Sequence, residues 1–241
     1  MFLSSIRFRP LLLTAWIFFF SATSVSQANI VSVLFTGFNP SNPSGMDFFK
    51  DTLDNNFQSN FPTLNHSSAV FRYGERSEAF DFITSHNAID HLFIAGHSWG
   101  GNAMIRLATE WLLPAGISVD ASFQFDSVDI FDGGLGDDVL PSNVDYGYNF
   151  YQIPTSIFEP GGEQFVAGAL NINAEDFYND PTITHTSIDN DVRLFDLFYS
   201  RMRAIVINNR SVVQAQNIPE PTGFIPVLGF LAWQGLRRSR P

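Results

Sequence analysis

The chain of 241 residues contains no cysteine. It forms no disulfide, carries no thiol nucleophile and offers no cysteine ligand to a metal, and it tolerates an oxidising compartment without cross-links. Basic charge is the second scarcity. Thirteen Lys and Arg stand against 24 Asp and Glu, a formal net charge of −11. Five of the thirteen, Arg7, Arg9, Arg237, Arg238 and Arg240, lie in the two terminal segments. Residues 29–218 therefore keep eight basic and twenty-three acidic side chains, a formal −15. Such a surface repels nucleic acid, which speaks against it as a partner, and it favours solubility outside the cytoplasm. Long hydrophobic runs are also missing. The two apolar stretches, residues 11–20 and 222–236, fall short of the roughly 20 residues that a spanning helix needs.

The ends differ from the middle. Residues 1–28 place Arg7 and Arg9 before the first apolar run and finish on Ser26-Gln27-Ala28. That is the layout of a secretory signal peptide cleaved after Ala28. At the other end, residues 208–217 read as a polar linker. The tail, residues 218–241, then combines Pro219-Glu220-Pro221, an apolar stretch broken by Pro226 and Gln234, and three arginines. As a three-part unit the tail resembles a PEP-CTERM sorting signal. The resemblance implies a Gram-negative bacterium, a signal peptidase and an exosortase as processing partners, and transient membrane association through the tail. The destination it implies is the periplasm, the outer cell surface or the extracellular matrix. An ordinary C-terminal anchor is the alternative.

Between these ends, residues 29–207 are long enough for one domain. Strand-like runs at 30–38, 67–73, 90–96, 120–125, 146–152 and 164–172 alternate with helical patterns. The helices fall at 45–57, at 77–86 with Ser77 as its cap, from Met104 to the stop at Pro114, and around Val192, Phe195, Phe198, Met202 and Ile205. Alternation of this kind predicts an α/β fold, with a mostly parallel central sheet flanked by helices and functional groups at the carboxyl ends of its strands. The 26 phenylalanines read as core rather than as a lipid groove.

The heptapeptide AGHSWGG, residues 95–101, contains G-x-S-x-G. Alone the pattern recurs by chance in roughly one chain in ten of this length. Here it follows the most apolar strand and opens a helix, the context in which a sharp turn presents a serine nucleophile. Gly96 and Gly100 let strand and helix approach while the Ser98 hydroxyl stands clear. A serine needs a general base. Of the five histidines, His97 is inside the turn, His91 opens the strand, and His66 and His86 precede the serine in a loop and a helix end. His185, between the last strand and the last helix, is the expected base. The acid that orients it should lie between the two in sequence. Asp126, directly after a strand, fits best, with Glu159 and Asp129 as alternatives. Oxyanion donors are expected from the amides of Trp99 and of Phe38, the latter in the loop after the first strand.

With GHSWGG, FQFDSVD and THTSID, the chain resembles the α/β-hydrolase superfamily, in particular small lipase- and esterase-like members, over about residues 30–205. The resemblance implies ester, thioester or amide hydrolysis through an acyl-serine, with no cofactor and no metal. A small-molecule or lipid carboxylic ester is the first choice of substrate. The usual His-Gly of the oxyanion loop is replaced by Thr36-Gly37-Phe38. Two other readings stay open: a non-catalytic surface or matrix protein that keeps the fold, and an acyltransferase with the same three residues. The acidic, glycine-rich residues 129–138 do not match an EF-hand and read as a solvated loop rather than a calcium site.

Overall fold

The computed structural model describes residues 29–38, 43–62, 64–129, 137–154 and 160–208. In chain order these form β1 (Asn29–Thr36), α1 (Gly45–Asn60), β2 (Asn65–Arg72), α2 (Arg76–Thr84), β3 (His91–His97) and α3 (Trp99–Arg106), which runs on as a π-helical segment (Leu107–Leu112). β4 (Val119–Phe125), β5 (Val144–Tyr151), β6 (Leu170–Asn173), α4 (Ala174–Tyr178), a 3-10 turn (Ile188–Asn190) and α5 (Val192–Ile207) follow. All six strands are parallel, in the order β2-β1-β3-β4-β5-β6. The fold is α/β. Parallel strands covered on both faces lose the polar-apolar alternation, and β1, β3 and β4 are buried along nearly all their length.

Successive side chains of each strand point to opposite faces. Leu34, Phe93, Phe123 and Phe150 meet Phe49 and Leu53 of α1 and Phe195 and Phe198 of α5 on one face. Val33, Phe35 and Ile94 meet Ile83 of α2 and Met104 and Leu107 of the α3 helix on the other. Phe35, Phe49, Phe57, Phe93, Phe123, Phe125, Phe150 and Phe198 are fully buried, whereas Phe38, Phe48 and Phe165 are exposed. Phe49 stacks on Phe195 at 4.5 Å and meets Phe198 edge-on at 4.7 Å.

This layering positions the site. The chain leaves β1 for α1 on one face and leaves the neighbouring β3 for α3 on the other, so their carboxyl ends part. A crevice at such a point is where open α/β sheets carry their chemistry.

Several expected boundaries shift. The last strand begins at Leu170, not at 164, because Asn171 folds the preceding residues back. Its side chain accepts from the Val166 N–H at 2.7 Å and donates to the Val166 carbonyl at 3.2 Å. Ala167 keeps only an isolated bridge to Val139. Ser77 does not cap α2; the helix starts one residue earlier, and the Ser77 hydroxyl donates to Glu78. At α1 a capping box forms, with the Ser44 side chain taking the Asp47 N–H and Asp47 returning a bond to the Ser44 N–H. The expected leader (1–28), sorting tail (218–241) and nearly all of the linker lie outside the described residues. Among those described, no helix is long and apolar enough to cross a membrane.

Candidate active site

Ser98 is the residue at which β3 becomes α3. Its backbone has φ 56° and ψ −127°, a region that costs a non-glycine residue about 1–3 kcal/mol and persists only where the surroundings enforce it. They do so here. The Ser98 N–H donates to the Phe125 carbonyl at 3.1 Å, and its own carbonyl accepts from Gly101 at 2.9 Å and Val128 at 3.1 Å. The turn is closed tightly enough that a Cβ on Gly96 would overlap the main chain of Gly100 and Gly101. On the other side Gly37, just past β1, passes so close that a Cβ there would stand 2.7 Å from that of Ser98.

Asp126 ends β4 in the same way, at φ 48°, and is fully buried. A buried carboxylate needs donors, and four converge on it. Oδ1 accepts from the N–H groups of Gln152 (3.1 Å) and Gly162 (2.9 Å); Oδ2 accepts from the Gln152 side chain (3.1 Å) and from His185 Nδ1 (2.6 Å). The other ring nitrogen, Nε2, lies 3.0 Å from Ser98 Oγ. With Nδ1–H donated to the carboxylate, Nε2 is left as the acceptor of the serine proton. His185 stands in a turn tied by Ser187, whose hydroxyl oxygen accepts the Thr184 N–H at 2.8 Å.

Ser98, His185 and Asp126 are thus joined in one buried hydrogen-bonded relay. Trp99 opens α3, where first-turn amides point out of the helix at the positive end of its dipole. Phe38 follows Gly37, and its ring packs on Trp99 at 4.6 Å and on Tyr73 at 6.5 Å. Asp129 is not in the relay but near Asp137, whose carboxyl group burial pushes up to about 6. Glu159 lies outside the described residues. Gln152 and Gly162, which hold Asp126, carry no motif that would have drawn attention to them. Among the described residues no group of three or more His, Asp or Glu side chains has the arrangement of a metal site.

A second Ser-His-Asp set stands behind the strand ends, around the middle of β1. Ser32 Oγ lies 2.9 Å from His66 Nε2, and His66 Nδ1 lies 3.1 Å from Asp54. It lacks what Ser98 has. Ser32 is in mid-strand, paired with both β2 and β3 and 1% exposed, so nothing can approach its oxygen. Burial also pushes His66 down to about 4, which makes it a weak base. The consequence is for stability. Between pH 6.5 and about 4 the unfolded chain binds a proton at His66 that the folded chain refuses. Stability is therefore full above pH 6.5 and declines as pH falls toward 4, by about 3 kcal/mol from this group. Urea unfolding across that range should show a shallower decline in His66→Gln than in the parent.

Two further histidines, His91 and His86, are held in contacts away from Ser98. His91 is buried against Asp120 at 3.3 Å, and His86 Nδ1 bonds the Phe82 carbonyl at 2.9 Å. A cavity of about 440 Å3 lined by Ile83, His86, Leu92 and Ile117 opens at the amino ends of β3 and β4, away from Ser98. The chain matches no protein-family model, and no curated protein matches it at a significant level.

Proposed function

We propose that this chain is an exported serine hydrolase of the α/β-hydrolase type that cleaves a carboxylic ester through an acyl-serine. The observation that carries the reading is the Asp126–His185–Ser98 relay ending on a serine held at positive φ. The chain order Ser, Asp, His and the position at the parting of β1 and β3 support it. In the mechanism, Ser98 Oγ attacks the acyl carbon while His185 Nε2 takes its proton, and Asp126 holds the imidazolium that results. The Trp99 and Phe38 amides bind the oxyanion. His185 then returns the proton to the departing alcohol. Water, deprotonated by the same nitrogen, releases the acid and regenerates Ser98. These steps draw on no cofactor.

The aromatic group of Phe38, Tyr73 and Trp99 beside Ser98 favours an ester with an apolar part, a preference that p-nitrophenyl esters of increasing chain length would expose. In the same proposal residues 1–28 direct export and residues 218–241 sort the protein to the cell surface, on the strength of their sequence.

A fluorophosphonate probe should attach to the folded protein at one peptide, the one containing Ser98. Labelling should vanish in Ser98→Ala and survive in Ser32→Ala. A folded protein that takes no label and turns over no nitrophenyl ester would refute the hydrolase reading and leave the non-catalytic one.

A further inference from the structure

His97 has no step in the mechanism above, yet it touches the relay from behind. Its Nε2 lies 2.7 Å from the main-chain oxygen of His185. Its Nδ1 lies 3.3 Å from Oδ2 of Asp189. The two imidazole rings are 4.9 Å apart. A carbonyl oxygen only accepts, so Nε2 carries the hydrogen. Nδ1 meets the Asp189 carboxyl group at ion-pair distance without completing a hydrogen bond. Burial, the largest influence on each, pushes His97 down and Asp189 up, which brings the two proton affinities together. Asp189 is itself anchored. It takes the N–H of Gly45, the first residue of α1, and the contact is close enough that a Cβ on Gly45 would overlap it.

We propose that His97 and Asp189 form a positioning pair that pins the main chain of His185, a role that rests on the hydrolase reading for its use but not for its geometry. The His185 ring serves two partners at once, 2.6 Å from Asp126 and 3.0 Å from Ser98. Both distances hold only if its Cα stays in place, and the turn that carries it belongs to no strand or helix. The end of β3 supplies the anchor. It carries Ser98 directly and His185 through His97, so a shift of that strand end moves nucleophile and base together. Near-attack geometry is sensitive to this, since a misplacement of about 1 Å costs up to about a hundredfold in rate.

The test compares His97→Phe, which keeps a ring but removes the Nε2 bond and the polar contact with Asp189, with His97→Gln, which restores an N–H donor near the position of Nε2. Two readouts are followed on the whole protein: the low-field proton resonance of His185 Nδ1–H, and the rate of fluorophosphonate labelling. His97→Phe should lose or broaden the resonance and label about tenfold more slowly or worse, with KM for a nitrophenyl ester little changed. His97→Gln should recover most of both, and Asp189→Ala should lose part of both. A folded His97→Phe that keeps the resonance and the labelling rate overturns the proposal, even if its Tm falls. Should His97→Phe not fold, Asp189→Ala decides in the same way. If the parent takes no label but its resonance depends on His97, the hydrolase reading fails and the positioning pair stands.

Discussion

Asp126→Asn should lower ester turnover by about 10^4-fold while the fold survives, and Glu159→Gln should leave turnover at the parent level. The substitution is nearly isosteric. An asparagine carbonyl in the place of Oδ1 still accepts from the Gln152 and Gly162 N–H groups, at the positions now 3.1 and 2.9 Å away. The fault lies at Oδ2. An amide nitrogen there is a donor, and it faces His185 Nδ1 at what is now a 2.6 Å contact. The imidazole must then carry its proton on Nε2 and point an N–H at Ser98 Oγ, so it cannot take the serine proton. Circular dichroism and kcat on a nitrophenyl ester check the pair of variants. Collapse in Glu159→Gln alone would move the acid to the segment after β5 and undo the assignment of Asp126.

What the sequence made legible follows the range of each interaction. The elbow could be read because its determinants are local. An apolar strand, two glycines and a helix start fall within a dozen residues, and the structure places β3, Ser98 and α3 there. Asp126 and His185 could be named because chain order and strand ends limit the choices, although the positive φ of Asp126 left no mark in the residue pattern. The rest depends on contacts between distant segments. Gln152 and Gly162 matter only because β5 lies beside β4 and the chain returns over it. His66, expected in a loop, is in β2, and its partners Ser32 and Asp54 come from β1 and α1. The false start of β6 arose from counting apolar residues where Asn171 reverses the chain. α4, with five residues, is too short for a helical period to register.

The largest loss should come from His185→Ala, about 10^6-fold in kcat, with Ser98→Ala equal to it and the double variant no worse than either. The non-additivity is the informative part. Ser98 Oγ and His185 Nε2, 3.0 Å apart, act in one proton transfer. Without the imidazole the hydroxyl keeps its proton and is a poor nucleophile; without the hydroxyl the imidazole has nothing to activate. Losses that multiplied to about 10^12 would mean that the two residues serve separate steps, and the relay would not be the reactive unit. The residual rate of each single variant, about 10^3–10^4 above water in comparable enzymes, measures what the oxyanion donors and substrate contacts contribute alone. The Ser32 set supplies an internal contrast. Its contact distances, 2.9 Å and 3.1 Å, resemble those at Ser98, although His66 Nδ1 completes no hydrogen bond to Asp54, so turnover unchanged in Ser32→Ala, set against the loss in Ser98→Ala, separates the spacing of three residues from the features only Ser98 adds. Those are the strained turn, the start of α3 and the place at the carboxyl ends of the strands, and on the proposed reading it is they that would make a hydrogen-bonded serine a nucleophile.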